Sequence, residues 1–233
     1  VGELMSRRFF RTVLVGLLMA VGSVAGAQEK SVRPGVNDTF KDPDLKQFQE
    51  RFETESREIF SKRKEILEAC KVTNGMSVAD VGAGTGLFTR AFAKAVGTKG
   101  SVIAVDISKT FLDHIAKTSR EEGMTQVVTL EASTESSNLP ADSVDLVFIC
   151  DTYHHFEFPI KTMQSIHRAL RSGGRVVMID FKRIEGESTE WVMSHVRAGQ
   201  EVFESEVEQS GFRKVGQVDG ILKENYLLVF EKK

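Results

Sequence analysis

Three glycines alternate in Asp80-Val81-Gly82-Ala83-Gly84-Thr85-Gly86, directly after the apolar run that ends at Val81 and directly before a helical stretch, Leu87 to Val96. Glycines where a strand hands over to a helix let the backbone turn tightly and lie against a ligand. Asp80 precedes the first glycine and Asp106 closes the next apolar run, so two carboxylates stand ready as hydrogen-bond acceptors at strand ends. A second group, Asp151-Thr152-Tyr153-His154-His155-Phe156, follows the apolar run Asp145 to Cys150. Imidazole titrates near neutral pH, so His154 and His155 are the candidate general bases; the alternative for each is a hydrogen-bonded wall residue.

The glycine spacing excludes two common phosphate sites. A dinucleotide fingerprint needs glycine where Leu87 stands, and a phosphate loop needs a Gly-Lys-Ser/Thr ending that is absent. A nicotinamide-dependent oxidoreductase on the same topology fails at Leu87. Asp151, His154, His155, His167 and His195 are metal-ligating types, but neighbours on one loop rarely converge on an ion and His167 falls mid-helix, so no metal site is expected. Cys70 and Cys150 are too far apart in sequence, with no second Cys or paired His beside either, for a zinc scaffold.

These residues need elements to hold them. Strands are predicted at Ser77 to Val81, Ser101 to Ile107, Val127 to Leu130, Asp145 to Cys150 and Arg175 to Phe181, separated by helices at Leu87 to Val96, Thr110 to Glu122 and Pro159 to Leu170. Asp42-Pro43 reads as a helix start, with apolar residues at helical spacing from Leu45 to about Ala69. One longer helix is predicted from Thr189 to Ser210, and Phe212 to Val218 and Asn225 to Glu231 form a closing antiparallel pair. The pattern predicts an α/β fold: a Rossmann-like, mostly parallel seven-stranded sheet with helices on both faces and a C-terminal antiparallel hairpin strand.

The glycine run with its two acids resembles motif I and the second-strand motif of the class I S-adenosylmethionine-dependent methyltransferases. Leu139-Pro140-Ala141-Asp142-Ser143-Val144-Asp145-Leu146-Val147 and Leu170-Arg171-Ser172-Gly173-Gly174-Arg175-Val176-Val177 are similar to two further blocks of that family, in the same order. The resemblance implies S-adenosyl-L-methionine as cofactor, held by Asp80, Gly82, Gly84, Gly86, Asp106, Ile107, Glu135 and Asp151, with Asp106 accepting from both ribose hydroxyls. For the acid that meets the adenine amine, counting back from Leu139 points to Glu135, whereas counting from the third strand favours Glu131 to Ser133. It also implies methyl transfer to a small-molecule acceptor by in-line displacement at the His154-His155 loop, with Trp191, His195 and Arg197 as a substrate lid. The other function class left open is a nucleoside-ligand binding or sensing protein that transfers nothing.

The chain has 233 residues, 41% hydrophobic and 27% charged, with a net charge of −2. That composition is globular, and its charge balance lacks the basic field that draws proteins onto nucleic acid, so no nucleic-acid partner is expected. From Met5, a basic segment with Arg7, Arg8 and Arg11 precedes thirteen uncharged residues, Thr12 to Val24, and then Ala25-Gly26-Ala27. This is the order of a signal peptide, either twin-arginine or ordinary secretory, and the stretch is short for a membrane span. The expected organisation is a leader at 1–27, a flexible linker at 28–41 and a methyltransferase domain at 42–233. Cleavage after Ala27 leaves 28 basic and 32 acidic residues, without a stable membrane span, in the periplasm or secreted; an uncleaved signal acting as membrane anchor is the alternative. Oligomeric state is not legible.

Overall fold

The computed structural model describes residues 29–233; the leader expected at 1–27 lies outside the described residues. Seven strands form one sheet in the order β3-β2-β1-β4-β5-β7-β6. They are β1 (Ser77–Val81), β2 (Ser101–Asp106), β3 (Val127–Glu131), β4 (Val144–Cys150), β5 (Leu170–Phe181), β6 (Phe212–Gln217) and β7 (Asn225–Lys232). The first five run parallel, and β7 enters antiparallel between β5 and β6. This is the expected mixed Rossmann-like sheet.

β4 reads Val-Asp-Leu-Val-Phe-Ile-Cys, almost uninterrupted in apolar character, because parallel strands covered on both faces bury alternate side chains in opposite layers. Val147 and Ile149 pack into the layer of α6 (Pro159–Ala169), α7 (Glu190–His195) and α8 (Gln200–Gln209) with Met163, Ile166 and Phe203. Leu146 and Phe148 point to the other layer, where α3 (Arg63–Ala69) and α4 (Leu87–Val96) supply Ile66, Phe88 and Phe92. The remaining crossover helix is α5 (Lys109–Glu121). The chain fills β1 to β3 on one side and then crosses to β4 on the other. A crevice therefore opens between the C-terminal ends of β1 and β4, where open α/β sheets take their ligands.

Four expectations are corrected. The single helix over 42–69 is instead α1 (Leu45–Phe52), α2 (Glu58–Ser61) and α3, and the cap is Asp44, whose carboxylate accepts from the Gln47 N–H, rather than Asp42. The interruption is made by Arg57, which donates to the Phe52 carbonyl and reaches Asp151, bending the chain over the crevice. The helix over 189–210 is broken into α7 and α8, with extended Val196 and Gly199 flanking the break and the Val196 side chain buried. Residues 31–41, expected as flexible linker, are packed: Val32 N–H donates to the Glu157 carbonyl, and buried Asn37 donates to the His155 carbonyl. Composition showed few large apolar groups in this segment, but Asn37 and Phe40 dock on the loop after β4. Pairing of Leu170 with Val144 beyond an irregularity in register starts β5 earlier than Arg175.

Candidate functional site

A cavity of about 1020 Å³ fills the crevice and extends under the N-terminal segment. Its floor is the glycine run. Gly82 has φ +77°, and a Cβ there would sit 2.2 Å from the Thr152 methyl, so only glycine lets the loops after β1 and β4 approach this closely. Asp106 is buried, and each of its oxygens accepts one backbone N–H, from Gly84 and from Ser108, both at 2.9 Å. These bonds fix the carboxylate's orientation on the cavity floor. Burial raises its pKa against the opposing pull of those N–H groups. Asp80, also on the floor, accepts from the Thr89 hydroxyl at 2.7 Å, and burial pushes it up to about 7.

Above this floor α1 lays Phe48 and Phe52. Phe40, Phe48 and Phe111 pack as one aromatic group, and Arg90 and Thr85 tie the end of α1 down through Glu53. Asp151 takes the left-handed conformation at the end of β4 and sits between Arg57 and Asn225, both at 2.6 Å. Burial raises its pKa while Arg57 opposes the rise.

The far end of the cavity is built from imidazoles. The short 3-10 turn Tyr153–His155 carries His154 and His155, and His195 arrives from the last position of α7. His154 is buried, with its Nδ1 2.8 Å from Asp180 Oδ1, and its Nε2 has no hydrogen-bond partner. Asp180 is fully buried and also accepts from the backbone N–H groups of His154 and Phe181. His155 Nε2 lies 3.3 Å from His195 Nε2, and Trp191 stacks on His195 at 4.5 Å. Burial, reinforced by the neighbouring His154, takes His155 down to about 2 and His195 down to about 4, so both are neutral imidazoles at pH 7.

The cavity thus brings together Asp80, Gly82, Gly84, Asp106, Ile107, Asp151, His154 and His155. Gly86 stands just behind it, as the left-handed N-cap of α4. Glu135 is not brought in: it is exposed and pairs with Lys161 at 2.8 Å, because the loop after β3 turns Ala132, Ser133 and Thr134 to the cavity instead. Of Glu131 to Ser133, the span favoured by the count from the third strand, Ala132 and Ser133 line the cavity and Glu131 does not. Sequence reasoning missed Asp180, Arg57 and Asn225, which lie far along the chain from the groups they hold and belong to no local motif. It set the histidines aside as a metal set, yet three of those five residues meet, because the turn Tyr153–His155 and the end of α7 come together at this end of the cavity.

Residues 79–178 match the family model described as a methyltransferase domain. Over this span the chain is similar to that family. Within it the chain is 32% identical over 110 residues to the ubiquinone/menaquinone biosynthesis C-methyltransferase UbiE of Vibrio vulnificus, covering 47% of this chain and 42% of that protein. The chain therefore spans less than half the length of this curated relative. Among solved structures, a SAM-dependent methyltransferase from Aquifex aeolicus superposes with a TM-score of 0.72 at 23% identity, over 82% of this chain and all of that one. The [4+2]-cyclase SpnF superposes with a TM-score of 0.62 at 15% identity, over 74% and 80%. Both comparisons support the fold around the domain, and the second shows it on a protein named for a different chemistry.

Proposed function

We propose that this protein transfers a methyl group from S-adenosylmethionine to a small-molecule acceptor held against the histidine end of the cavity. The observation that carries the reading is Asp106: a buried carboxylate at the end of β2 on the cavity floor, fixed by the backbone N–H groups of Gly84 and Ser108, where it can accept from two vicinal hydroxyls. The cavity fits the donor in other respects. Asp80, Asp106 and Asp151 suit a ligand that carries both a sulfonium and an ammonium charge, and about 1020 Å³ is at the upper end of small-ligand pockets, room for a donor and an acceptor together.

S-adenosylmethionine supplies an already activated methyl group, which an acceptor displaces in line. The chain's task is then to position and to exclude water. The Gly82–Thr152 contact fixes the floor, Asp106 and the 132–134 loop hold the nucleoside end, and Phe40, Phe48, Phe52 and Trp191 close the cavity against solvent. A hydroxyl or enol acceptor must lose a proton, and His154 is built to accept it: Nδ1 is engaged by Asp180, which leaves the Nε2 lone pair free. Asp180 sets that orientation as a positioning residue.

The relative named as a ubiquinone/menaquinone biosynthesis C-methyltransferase favours an acceptor methylated at carbon. A leader at 1–27 favours action beyond the cytosol, where the donor is scarce, and so keeps nucleoside binding without turnover as the second reading. Incubating the full chain with methyl-labelled donor and a panel of phenols, hydroquinones and enols separates the two. Transfer to any acceptor, lost in Asp106→Ala, supports the enzyme; stoichiometric donor binding with no transfer across the panel supports the binding protein.

A further inference from the structure

The imidazole end of the cavity holds more than a base. His154, His155 and His195 each offer a ring nitrogen within 4.8 Å of the other two, and the ring centroids stand 4.2, 5.1 and 5.0 Å apart. Two nitrogens bound to one ion at about 2.0–2.1 Å in tetrahedral geometry lie about 3.3–3.4 Å from each other. The His155 and His195 Nε2 atoms are 3.3 Å apart. A hydrogen bond between them would account for that pair, but not for His154, whose Nε2 is buried and unpartnered in a side chain 1% exposed.

We propose that His154, His155 and His195 form a three-imidazole site for a divalent first-row transition metal, with its open coordination position facing the cavity.

The surroundings are those such a site needs. Metal-bound histidines present their second nitrogen to a carboxylate or carbonyl, which fixes ring orientation and strengthens the donor; His154 Nδ1 does this with fully buried Asp180. Trp191 stacks on His195, Phe40 meets His155 edge-on at 5.1 Å, and Arg33 donates to the carbonyls of Ser194 and His195, so the other two rings are held from behind. An all-imidazole set suits Zn²⁺, Co²⁺, Ni²⁺ or Cu²⁺ rather than Mg²⁺ or Ca²⁺. Three protein ligands with a fourth position open to a cavity is the pattern of ions that bind substrate, not of closed structural sites. The fourth ligand is an acceptor oxygen, and an acceptor hydroxyl bound there releases its proton to water. The ion and the proton compete for one lone pair, so with metal bound His154 is a ligand and not the base. The site itself stands independently of whether methyl is moved.

The test is Co²⁺ titration of the chelator-treated full chain, read by visible d–d absorption and by displacement with Zn²⁺. One saturable Co²⁺ per chain is expected. His195→Ala, at the more exposed ligand, should weaken binding more than about 100-fold, and Asp180→Asn about 10–100-fold through ring orientation. His114→Gln, at a histidine outside the cluster, should leave affinity unchanged. Circular dichroism confirms folding, and S-adenosylhomocysteine binding is measured on the same samples. A folded chain that binds S-adenosylhomocysteine but takes up no Co²⁺, or takes it up equally in His195→Ala, overturns the metal site and leaves the methyltransferase reading. Co²⁺ bound through His195 without S-adenosylhomocysteine binding does the reverse.

Discussion

The two ends of the cavity are made differently. The donor end is local: Asp80 through Gly86 are consecutive, and Asp106 reaches Gly84 from the neighbouring strand through a hydrogen bond across 22 positions. The histidine end is assembled from distant parts, with Asn37 and Phe40 from the N-terminal segment, His154 and His155 after β4, Asp180 at the end of β5, and His195 from α7. A sheet that binds one nucleoside can keep the first end nearly constant while the second is rebuilt around other chemistry, since a change in α7 or in residues 31–58 need not disturb β1 or β2.

That comparison can be broken by substitution. The largest effect is expected for Asp180→Ala, which strands the His154 ring and two backbone N–H groups in the interior and should cost about 3–5 kcal/mol. Denaturant unfolding measures it, and where the variant still folds in the cold its S-adenosylhomocysteine affinity should match the parent's. A parallel loss of affinity would mean that the two ends are one unit. Arg57→Ala comes next. Arg57 is partly exposed and Asp151 keeps Asn225, so about 2 kcal/mol of stability is expected to go, with the 53–57 segment cleaved faster by protease.

At the donor floor the effect is read as a slope with pH. Asp80 titrates at about 7 when folded but at about 3.9 when unfolded, so the folded state binds the extra proton in between. Its contribution is therefore fully present below about pH 4 and is lost as pH rises through about 7, at no more than about 1.4 kcal/mol per pH unit. Asp80→Asn should flatten unfolding free energy across pH 4 to 7; an unchanged slope would place the titration elsewhere. The smallest effect is expected for Glu135→Gln, which breaks only an exposed ion pair. Stability should shift by less than about 0.5 kcal/mol, and S-adenosylhomocysteine affinity by less than about twofold. A tenfold loss would put Glu135 at the adenine after all.

The same division governs what could be read from the residues alone. The strand and helix starts around the glycine run were legible because period, turn residues and length agree there, and Leu87–Val96 forms a helix over the predicted span. Asp106 was legible as the acid at a strand end. The helix breaks at Glu53–Arg57 and Val196–Gly199 were not, since apolar spacing continues through both while a tertiary contact decides the bend. Glu135 was misplaced by counting from a neighbouring motif along a loop whose path the count does not know. The meeting of His195 with His154 and His155 depends on where α7 docks, some forty positions on, and no local pattern encodes that.

The most direct test of the account is calorimetric titration of the full chain with S-adenosylhomocysteine, beside Asp106→Ala. The account predicts one site per chain, with affinity reduced about 100-fold or more in the variant, since two charge-assisted hydrogen bonds are lost. A folded chain that binds none, or a variant that binds as the parent does, would contradict it.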